Sequence, residues 1–396
     1  MVEQIKKLTK KQFNDLIMLR RHFHMHPELG NQEFETQAFI IDYLTKLSVF
    51  DCKKIASTGV IAYIKGKKME SNRCVALRAD MDALPIQEIN SCDYQSKYKD
   101  KMHACGHDAH MAILLGVARN LASLINEFSG TVKLLFQPAE ESTGGAQRMI
   151  EENCLENPYV DVVFGLHVEP MIPVGYIWYK KGPLYAYADM VKIIVTGKGC
   201  HAAQPEEGVD AIVVASSIIN ELQKIVARIV PSNAPAVLTI GKIRGGEVLN
   251  AIANEVVMEG TMRTLDKQTR TLMMTEIEHI AKTTALAHHA KATVIITESY
   301  PVLENNDEMV DFLLENALIL LGKNNILQRP HSSMGAEDFA YFARKRPSCF
   351  YNLGIQNEKK NIIHPAHSSS FDIDEDALAI GVNLQTLLTI SYLNQN

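Results

Sequence analysis

The sequence lacks the features of secreted and membrane-spanning proteins. Its seven cysteines stand singly and form no CxxC pair, whereas a secreted disulfide framework usually has an even number of cysteines. No run of about 18 apolar residues occurs, and the first residues, MVEQIKKLTKKQF, lack the apolar core of a signal peptide. We therefore expect a cytoplasmic protein with no membrane partner.

The sequence also lacks blocks of like charge, internal repeats and low-complexity tracts. Acidic residues number 46 and basic residues 40, which gives a net charge of −6. Nothing in this balance favours nucleic acid as a partner. The chain of 396 residues is 46% hydrophobic, which is enough for two hydrophobic cores. We therefore expect two domains, one of which is inserted into the other.

The chain does contain an alternation of short apolar runs and longer amphipathic segments. Strands that alternate with helices are typical of an α/β domain with a mainly parallel sheet. The pattern predicts the strands 73–80, 131–141, 161–168 and 348–355 and the helices 10–26, 109–124, 145–152, 307–322 and 374–393.

A different order of elements occupies the middle of the chain. Residues from about 188 to 299 read as strand, helix, two strands, helix and strand. This βαββαβ order is typical of a ferredoxin-like sandwich. We therefore predict an inserted domain at 186–299 within a larger domain that is formed by 1–185 and 300–396.

Side chains of the metal-ligand type follow the predicted strands of the larger domain. Asp80 comes after the apolar run CVAL of the first strand, the pair Glu140-Glu141 comes after TVKLLF of the second, and His167 comes after VVFGL of the third. Ligands of parallel sheets gather at the carboxyl ends of the strands. Because adjacent residues point in different directions, one carboxylate of the pair can bind a metal while its neighbour acts as a base.

A second group of candidate ligands lies in the segment HACGHDAH and in a late histidine. Cys105, His107 and His367 would add the thiolate and imidazole groups that borderline metals prefer. The same residues permit a thiol hydrolase, with Cys105 as nucleophile and His107 or His167 as base. This second hypothesis requires an activity that survives chelation and is lost when the thiol is alkylated.

Nine motifs occur in an order that resembles one known family. They are HMHPELG, RADMDALP, HACGHDAHM, FQPAEE, GLHV, GKGCHAAQPEEGVDA, NEVVMEGTMRT, MGAEDFAYF and HSSSFDIDEDAL, which lie between about residues 15 and 385. The chain resembles the aminoacylase and carboxypeptidase family of two-metal hydrolases. Within that family it is similar to the amidohydrolase branch, which includes hippurate hydrolases, N-acetyldiaminopimelate deacetylases and auxin-conjugate hydrolases.

The resemblance implies two divalent cations, either manganese, zinc, nickel or cobalt. It implies Glu140 as general base, and His201 as the residue that reaches an active site across a dimer interface to stabilise the oxyanion. Asn250 and Arg263 match positions that lie near the substrate carboxylate in relatives. The resemblance also implies that residues 186–299 form a lid or dimerisation domain. The implied metal ligands are Cys105, as a bridge, His107, Glu141, His167 and His367.

Some positions in the motifs need a choice between neighbours. Both His364 and His367 precede Phe371, and the four-residue spacing of relatives selects His367 as the ligand. Distant members carry His-x-Asp where this chain has RAD at 78–80, with the histidine on metal. We therefore expect Asp80 to orient a metal ligand or hold the loop rather than bind metal itself.

Supporting roles are expected for the other polar residues of HACGHDAH. Asp108 is expected to cap the following helix, while His103 and His110 support the ligands Cys105 and His107. The upstream histidines 22, 24 and 26 alternate along a predicted helix. Since positions two apart do not share a face, we interpret these three as structural.

The sequence thus predicts a metal-dependent amidohydrolase that cleaves N-acetyl, N-benzoyl or similar N-acyl amino acids as a homodimer or higher homo-oligomer. The alternatives are hydrolysis of short peptides, of the aminopeptidase or carboxypeptidase type, and a non-catalytic ligand-binding member of the same fold. Two departures from the family pattern, Ala211 in GVDAI and the stretch NAIAN at 250–254, lie in the inserted domain. They indicate that substrate recognition differs from that of the best-known members.

Overall fold

The computed structural model describes residues 1–395 and divides into two compact units. Unit 2 comprises Pro183–Leu303 and His331–Ala340, and unit 1 comprises Met1–Gly182, Glu304–Pro330 and the described residues from Tyr341 onward. The insertion predicted at 186–299 lies within the first stretch of unit 2. No pattern in the sequence indicates that the short stretch His331–Ala340 joins this unit.

Helices and strands are numbered along the chain. The helices are α1 (Val2–Lys11), α2 (Phe13–Met25), α3 (Phe34–Lys46), α4 (His107–Ser123), α5 (Gly145–Glu151), α6 (Ala211–Lys224), α7 (Lys267–Ala287), α8 (Asp307–Leu321), α9 (Ala340–Ala343) and α10 (Asp376–Leu393). The strands are β1 (Asp51–Ile55), β2 (Gly59–Lys65), β3 (Cys74–Asp80), β4 (Thr131–Gln137), β5 (Val162–Pro173), β6 (Ile177–Tyr179), β7 (Gly182–Tyr185), β8 (Tyr187–Thr196), β9 (Ala236–Gly245), β10 (Glu255–Thr264), β11 (Lys291–Tyr300), β12 (Leu303–Asn305), β13 (Ile326–Gln328) and β14 (Ser348–Gln356).

Unit 1 is built on a mixed sheet with the strand order β1-β2-β4-β3-β5-β14-β6-β13. Four of its seven neighbouring pairs are parallel, including the central pairs β4-β3, β3-β5 and β5-β14. Strand β3 is buried along its whole length, as expected of a central parallel strand with both faces covered. The mainly parallel α/β sheet that the sequence predicts is confirmed.

Helix α4 lies at the centre of unit 1 and carries the first ligand candidates. It packs on α2, α10 and β3, and nearly all of its side chains are buried. A Cβ atom at Gly116 would lie 2.5 Å from Leu16 and 2.7 Å from Val382, so glycine permits the three helices to approach closely. This packing fixes the helix whose first residue is His107.

The predicted single helix at 10–26 is wrong in one respect, because two helices occupy the first 25 residues. Gln12 separates α1 from α2 with a ψ angle of 7°. Its buried side chain donates hydrogen bonds to the carbonyl of Gly116 and to Asn120 Oδ1. A contact with a distant helix therefore interrupts a segment whose local sequence favours a continuous helix.

No helix within residues 1–395 is long and apolar enough to cross a membrane.

Unit 2 has the predicted βαββαβ order, with the antiparallel sheet β11-β8-β10-β9 and the helices α6 and α7. The side chain of Asp266 caps α7 by accepting the N–H of Thr269 at 2.8 Å. Asp210 caps α6 in the same way, and Ala211 is the first residue of that helix. The departure from the family's proline at 211 therefore falls at a position where proline is favoured but not required.

Candidate metal centre

The candidate site lies beside the carboxyl ends of β3 and β4, as the sequence predicts. Asp80 is the last residue of β3, and Glu140 and Glu141 follow β4 in a turn. The position expected for His167, after the end of its strand, is wrong. Strand β5 continues past this residue to Pro173, because it remains paired with β14 after its pairing with β3 has ended.

The structure brings together the six residues that were predicted to bind metal or act as base. Cys105 Sγ lies 3.4 Å from His167 Nε2, and His367 Nε2 lies 3.1 Å from Glu141 Oε1. Cys105, His107 and Glu141 each belong to two of three close groups. In three groups the possible ligand atoms all lie within 4.8 Å of one another, namely Cys105-His107-His167, Cys105-Glu141-His367 and His107-Glu140-Glu141.

Two of the histidines are oriented by backbone carbonyl groups. Because a carbonyl oxygen can only accept, His107 donates its Nδ1–H to the carbonyl of Asp82 at 2.8 Å. His167 does the same to the carbonyl of Val168 at 2.6 Å. Nε2 of His107 is buried and has no hydrogen-bond partner among residues 1–395. A hydrogen bond from one ring nitrogen to a carbonyl fixes the tautomer of a histidine and leaves its other ring nitrogen able to bind a metal. His107 and His167 therefore fit a metal site.

The electrostatics of the cluster favour a cation. Burial lowers the pKa of His107, but Asp80, Asp82 and Glu141 outweigh that effect and raise it to about 10. The site therefore has an excess of negative charge, which a divalent cation would neutralise. Burial, followed by the nearby Glu141 and Glu140 carboxylates, raises the pKa of the Cys105 thiol well above its usual value.

The raised pKa of Cys105 counts against the thiol-hydrolase hypothesis. A catalytic thiol acts as the thiolate and needs surroundings that lower its pKa. Burial, followed by the Glu141 and Glu140 carboxylates, does the reverse and raises the pKa of Cys105. A bound cation stabilises a thiolate directly, so the same surroundings suit a metal ligand.

His110 and Asp80 support the ligands. Asp80 accepts hydrogen bonds from Arg78 at 2.6 Å and from His110 Nδ1 at 2.5 Å. The N–H of Val168 donates to His110 Nε2 at 2.9 Å. Both ring nitrogens of His110 are therefore occupied, and burial, as the largest effect, lowers its pKa to about 4. Asp80 also lies 3.5 Å from Nε2 of His107, and Asp80, His107 and His110 form a further close group of possible ligand atoms. The supporting role expected for Asp80 stays a prediction.

The loop that carries His367 is anchored beside the first ligand loop. The N–H of His367 donates to the carbonyl of Ala104 at 2.8 Å. His364 belongs to none of the close donor groups found in the described part of the chain. On the other loop, Gly106 has a φ angle of +87°, and a Cβ atom there would lie 2.3 Å from Val168. A side chain at this position would separate the ligands on either side of it.

Asp108 does not cap α4, contrary to the prediction, because Gly106 occupies the N-cap position. The buried Asp108 carboxylate instead accepts hydrogen bonds from Arg20 Nε at 2.9 Å and His24 Nδ1 at 2.6 Å. Burial opposes ionisation, but the charges of Arg20 and His24 hold the pKa of Asp108 well below its usual range. His103 is also buried, and burial lowers its pKa to about 3.

Sequence reasoning missed the role of Arg20 and His24 beside the site. The alternation of histidines at 22, 24 and 26 drew attention to residues that do not share a helix face. The useful signal was the four-residue spacing between Arg20 and His24, which places both on one face of α2. Both side chains are buried there.

The predicted residues of the inserted segment lie at two ends of the unit 2 sheet. His201 and Asn250 are close together, since the N–H of Ala202 donates to the carbonyl of Asn250 at 3.0 Å and His201 pairs with Ala251. Arg263 lies near the opposite end of β10, where it pairs with Ala188. Its separation from the start of β10 is roughly 26 Å at 3.3 Å per residue. Within a single chain, Arg263 therefore lies far from Asn250.

Comparisons with known proteins identify relatives over nearly the whole chain. The thermostable carboxypeptidase 2 of Saccharolobus solfataricus is 37% identical to the chain, over 100% of both. The N-acetyl-L-cysteine deacetylase of Bacillus subtilis is 41% identical, over 92% of this chain and 84% of that protein. A crystal structure of a B. subtilis dinuclear metal-binding peptidase from the M20 family has a TM-score of 0.85 and 34% identity, over 98% of this chain and 100% of that chain.

The fold and the donor cluster define a hydrolase of the metallopeptidase and amidohydrolase class. Residues 76–390 match peptidase family M20/M25/M40, and the chain belongs to that family. The resemblance drawn from the nine motifs is thereby confirmed. The individual roles of the site residues stay predictions.

We predict that Cys105→Ala lowers the metal-to-protein ratio, because the thiol belongs to two of the donor groups. Loss of a ligand or its support typically weakens metal binding by about ten- to a hundredfold. The ratio can be measured by elemental analysis after dialysis at limiting metal. Cys92→Ala is the matched control, since Cys92 belongs to none of these groups in residues 1–395 and should leave the ratio unchanged. An unchanged ratio in Cys105→Ala would contradict the ligand assignment.

Proposed function

We propose that this protein hydrolyses the amide bond of N-acyl amino acids, with Glu140 as general base. The observation that carries the proposal is the adjacent pair Glu140-Glu141 beside His107, with all three possible ligand atoms within 4.8 Å. Glu141 also contacts His367. This arrangement supports a division of roles, in which Glu141 binds metal and its neighbour moves a proton.

The ligand set supports a centre for two divalent cations. The family resemblance implies that these are manganese, zinc, nickel or cobalt. When bound, the cations supply Lewis acidity that lowers the pKa of a water molecule and polarises the amide carbonyl. The residues that would hold them are Cys105, His107, Glu141, His167 and His367.

The residues then divide the reaction into proton transfer and charge stabilisation. Glu140 accepts a proton from the attacking water as the oxygen bonds to the amide carbon. It delivers that proton to the amide nitrogen as the C–N bond breaks, which yields a carboxylic acid and a free amine; the acid then loses its remaining proton to solvent and leaves as a carboxylate. His201 stabilises the negative charge on the carbonyl oxygen. Asn250 and Arg263 hold the substrate carboxylate, and Asp80 orients the neighbouring ligands.

We further propose that the chain acts as a homodimer through unit 2. One of the two edge strands of its sheet, β9, exposes Val237 and Ile243, and the loop that follows exposes Leu249 completely. An exposed apolar edge strand is a ready site for pairing with another chain. A dimer also accounts for the distance between Arg263 and the pair His201 and Asn250. Two copies of the chain can contribute different ends of the sheet to one site.

The cysteines support a cytoplasmic location for the enzyme. All seven are free thiols, and four of them are buried. Reducing compartments keep thiols in this state, whereas small exported proteins commonly use cysteines in disulfides. The proposed location therefore rests on the thiols.

The substrate class can be decided by a panel of compounds. Of the two relatives named above, the deacetylase has the higher identity, 41% against 37%, over 92% of this chain instead of 100%; this identity supports N-acyl amino acids as the first class to test. We expect the protein, loaded separately with each candidate metal, to hydrolyse N-acetyl or N-benzoyl amino acids faster than dipeptides. Faster hydrolysis of dipeptides would favour the peptidase alternative. No turnover of either class with any metal would favour a non-catalytic ligand-binding protein.

We predict that Glu140→Gln retains the metal content and loses nearly all turnover. The amide keeps the shape of the side chain but cannot accept a proton, and general bases typically contribute about 10²- to 10⁴-fold in rate. The measurement is kcat together with elemental analysis on the same preparation. Glu151→Gln, an exposed change on α5, is the matched control. A wild-type rate in Glu140→Gln would remove this residue as base.

We predict that two inactive variants complement each other if His201 acts across a dimer interface. His201→Ala and Glu140→Gln chains are each expected to be nearly inactive, since loss of one oxyanion donor costs on the order of a hundredfold or more. A mixed dimer would contain one site with both residues intact. Activity should therefore rise when the two chains are unfolded and refolded together. If His201 acts within its own chain, the mixture will be no more active than its components.

A further inference from the structure

The turn that carries Glu140 and Glu141 points three consecutive backbone amides at two buried carboxylates. The N–H of Ala139 donates to Glu33 Oε1 at 2.8 Å. The N–H groups of Glu140 and Glu141 donate to the two carboxylate oxygens of Asp82, each at 3.0 Å. Successive amides that converge in this way form a concavity that binds negative charge. Here two acidic side chains from distant parts of the sequence fill it.

The backbone of this turn needs such an anchor. Ala139 has a φ angle of +55°, a left-handed backbone conformation that residues other than glycine seldom adopt. Conformations of this kind persist only where the surroundings hold them in place. Gly30 packs against the same turn, because a Cβ atom there would lie 3.1 Å from Ala139 Cα and 3.2 Å from Asp82 Oδ2. The segment that contains Gly30 therefore leaves little space for the turn to relax.

The second carboxylate, Glu33, is itself fixed from the opposite side. Its Oε2 accepts the hydroxyl of Thr58 at 2.6 Å, and Glu33 and Thr58 are both fully buried. The Glu33 side chain thus links the turn to the segment between β1 and β2. It contacts the active-site turn through the N–H of Ala139, one residue before the proposed base.

Asp82 also contacts the ligand histidine through its backbone. Its carbonyl accepts the Nδ1–H of His107 at 2.8 Å, while its carboxylate accepts the two amides of Glu140 and Glu141. One residue therefore orients the proposed base and two of the proposed ligands. Hydrogen bonds to an ionised carboxylate are about twice as strong as those between neutral groups, which suits Asp82 to hold two backbone groups at once.

We propose that Asp82 and Glu33 are positioning residues for the metal-ligand and base pair Glu140-Glu141. They fix the backbone of the turn, and thereby the directions in which the two adjacent carboxylates point. This inference rests on the proposed function for its catalytic consequence. Its consequence for metal binding stands independently, because Glu141 and His107 are members of the donor groups whatever the substrate is.

The test is Asp82→Asn in the full-length chain loaded with Co²⁺. The amide retains the backbone contact to His107 and one acceptor, but it presents an NH₂ group to the second backbone N–H. We expect the affinity for Co²⁺, measured by competition with a chelator, to fall about ten- to a hundredfold. The visible spectrum of bound Co²⁺ should change, because it reports the geometry of the ligands. With the best substrate of the panel, kcat should fall by a similar factor while KM changes less than about threefold.

Asp161→Asn is the matched control for a purely structural effect. Asp161 Oδ2 also accepts a backbone N–H, from Cys74 at 2.6 Å, but at the amino end of β3, away from the site. This variant should lower the thermal midpoint without changing the Co²⁺ spectrum, the Co²⁺ affinity or kcat. Equal losses of Co²⁺ affinity in Asp161→Asn and Asp82→Asn would overturn the proposal, as would a wild-type spectrum, affinity and kcat in Asp82→Asn.

Glu33→Gln provides a second variant that tests the proposal if Asp82→Asn does not fold. It removes one charge from the far side of the turn and leaves every donor group intact. We expect a smaller change in the same direction in both the Co²⁺ spectrum and kcat, and a wild-type result for both would contradict the role of Glu33. If no substrate is found, a changed Co²⁺ affinity still supports positioning, so failure of the proposed function and failure of this inference are distinguishable.

Discussion

The burial of carboxylates at the ends of β3 and β4 is the constraint on which the rest of the structure depends. A buried charge is costly unless an opposite charge or N–H groups compensate it. Asp80 is compensated by Arg78 and His110, and Asp82 is compensated by backbone amides. These donors come from different strands, turns and helices. The negative charge that suits the site to a cation therefore exists only when all of unit 1 is folded around it.

Arg20 shows how far this compensation extends along the chain. From the interior of α2 its guanidinium contacts Asp108 at 2.9 Å and Asp372 at 2.8 Å. The first carboxylate directly follows His107, and the second lies five residues after His367. One buried cation thus holds the two segments that carry ligand candidates from distant parts of the sequence. The N-terminal helices belong to the support of the site, although none of their residues enters a donor group.

The proposed substrate-binding residues lie in the other unit. The cluster in unit 1 keeps every donor that the family pattern requires, whereas both departures from that pattern lie in unit 2. One of them, Ala211, begins a helix that Asp210 already caps, so the fold tolerates the change. The other, NAIAN at 250–254, includes Asn250 beside His201. The proposed metal ligands and the proposed substrate-binding residues thus lie in separate parts of the chain.

The sequence by itself determined the class of fold, the order of the central elements and the six members of the donor cluster. Buried parallel strands are continuously apolar, and ligand residues follow them at recognisable positions. Edge strands such as β1 and β13 escaped prediction because short, partly exposed strands lack that pattern. Only the tertiary structure decided the parts played by Asp82, Glu33 and Arg20. Each acts through partners more than fifty residues away, and no local spacing records which distant amide or carboxylate a buried side chain will meet.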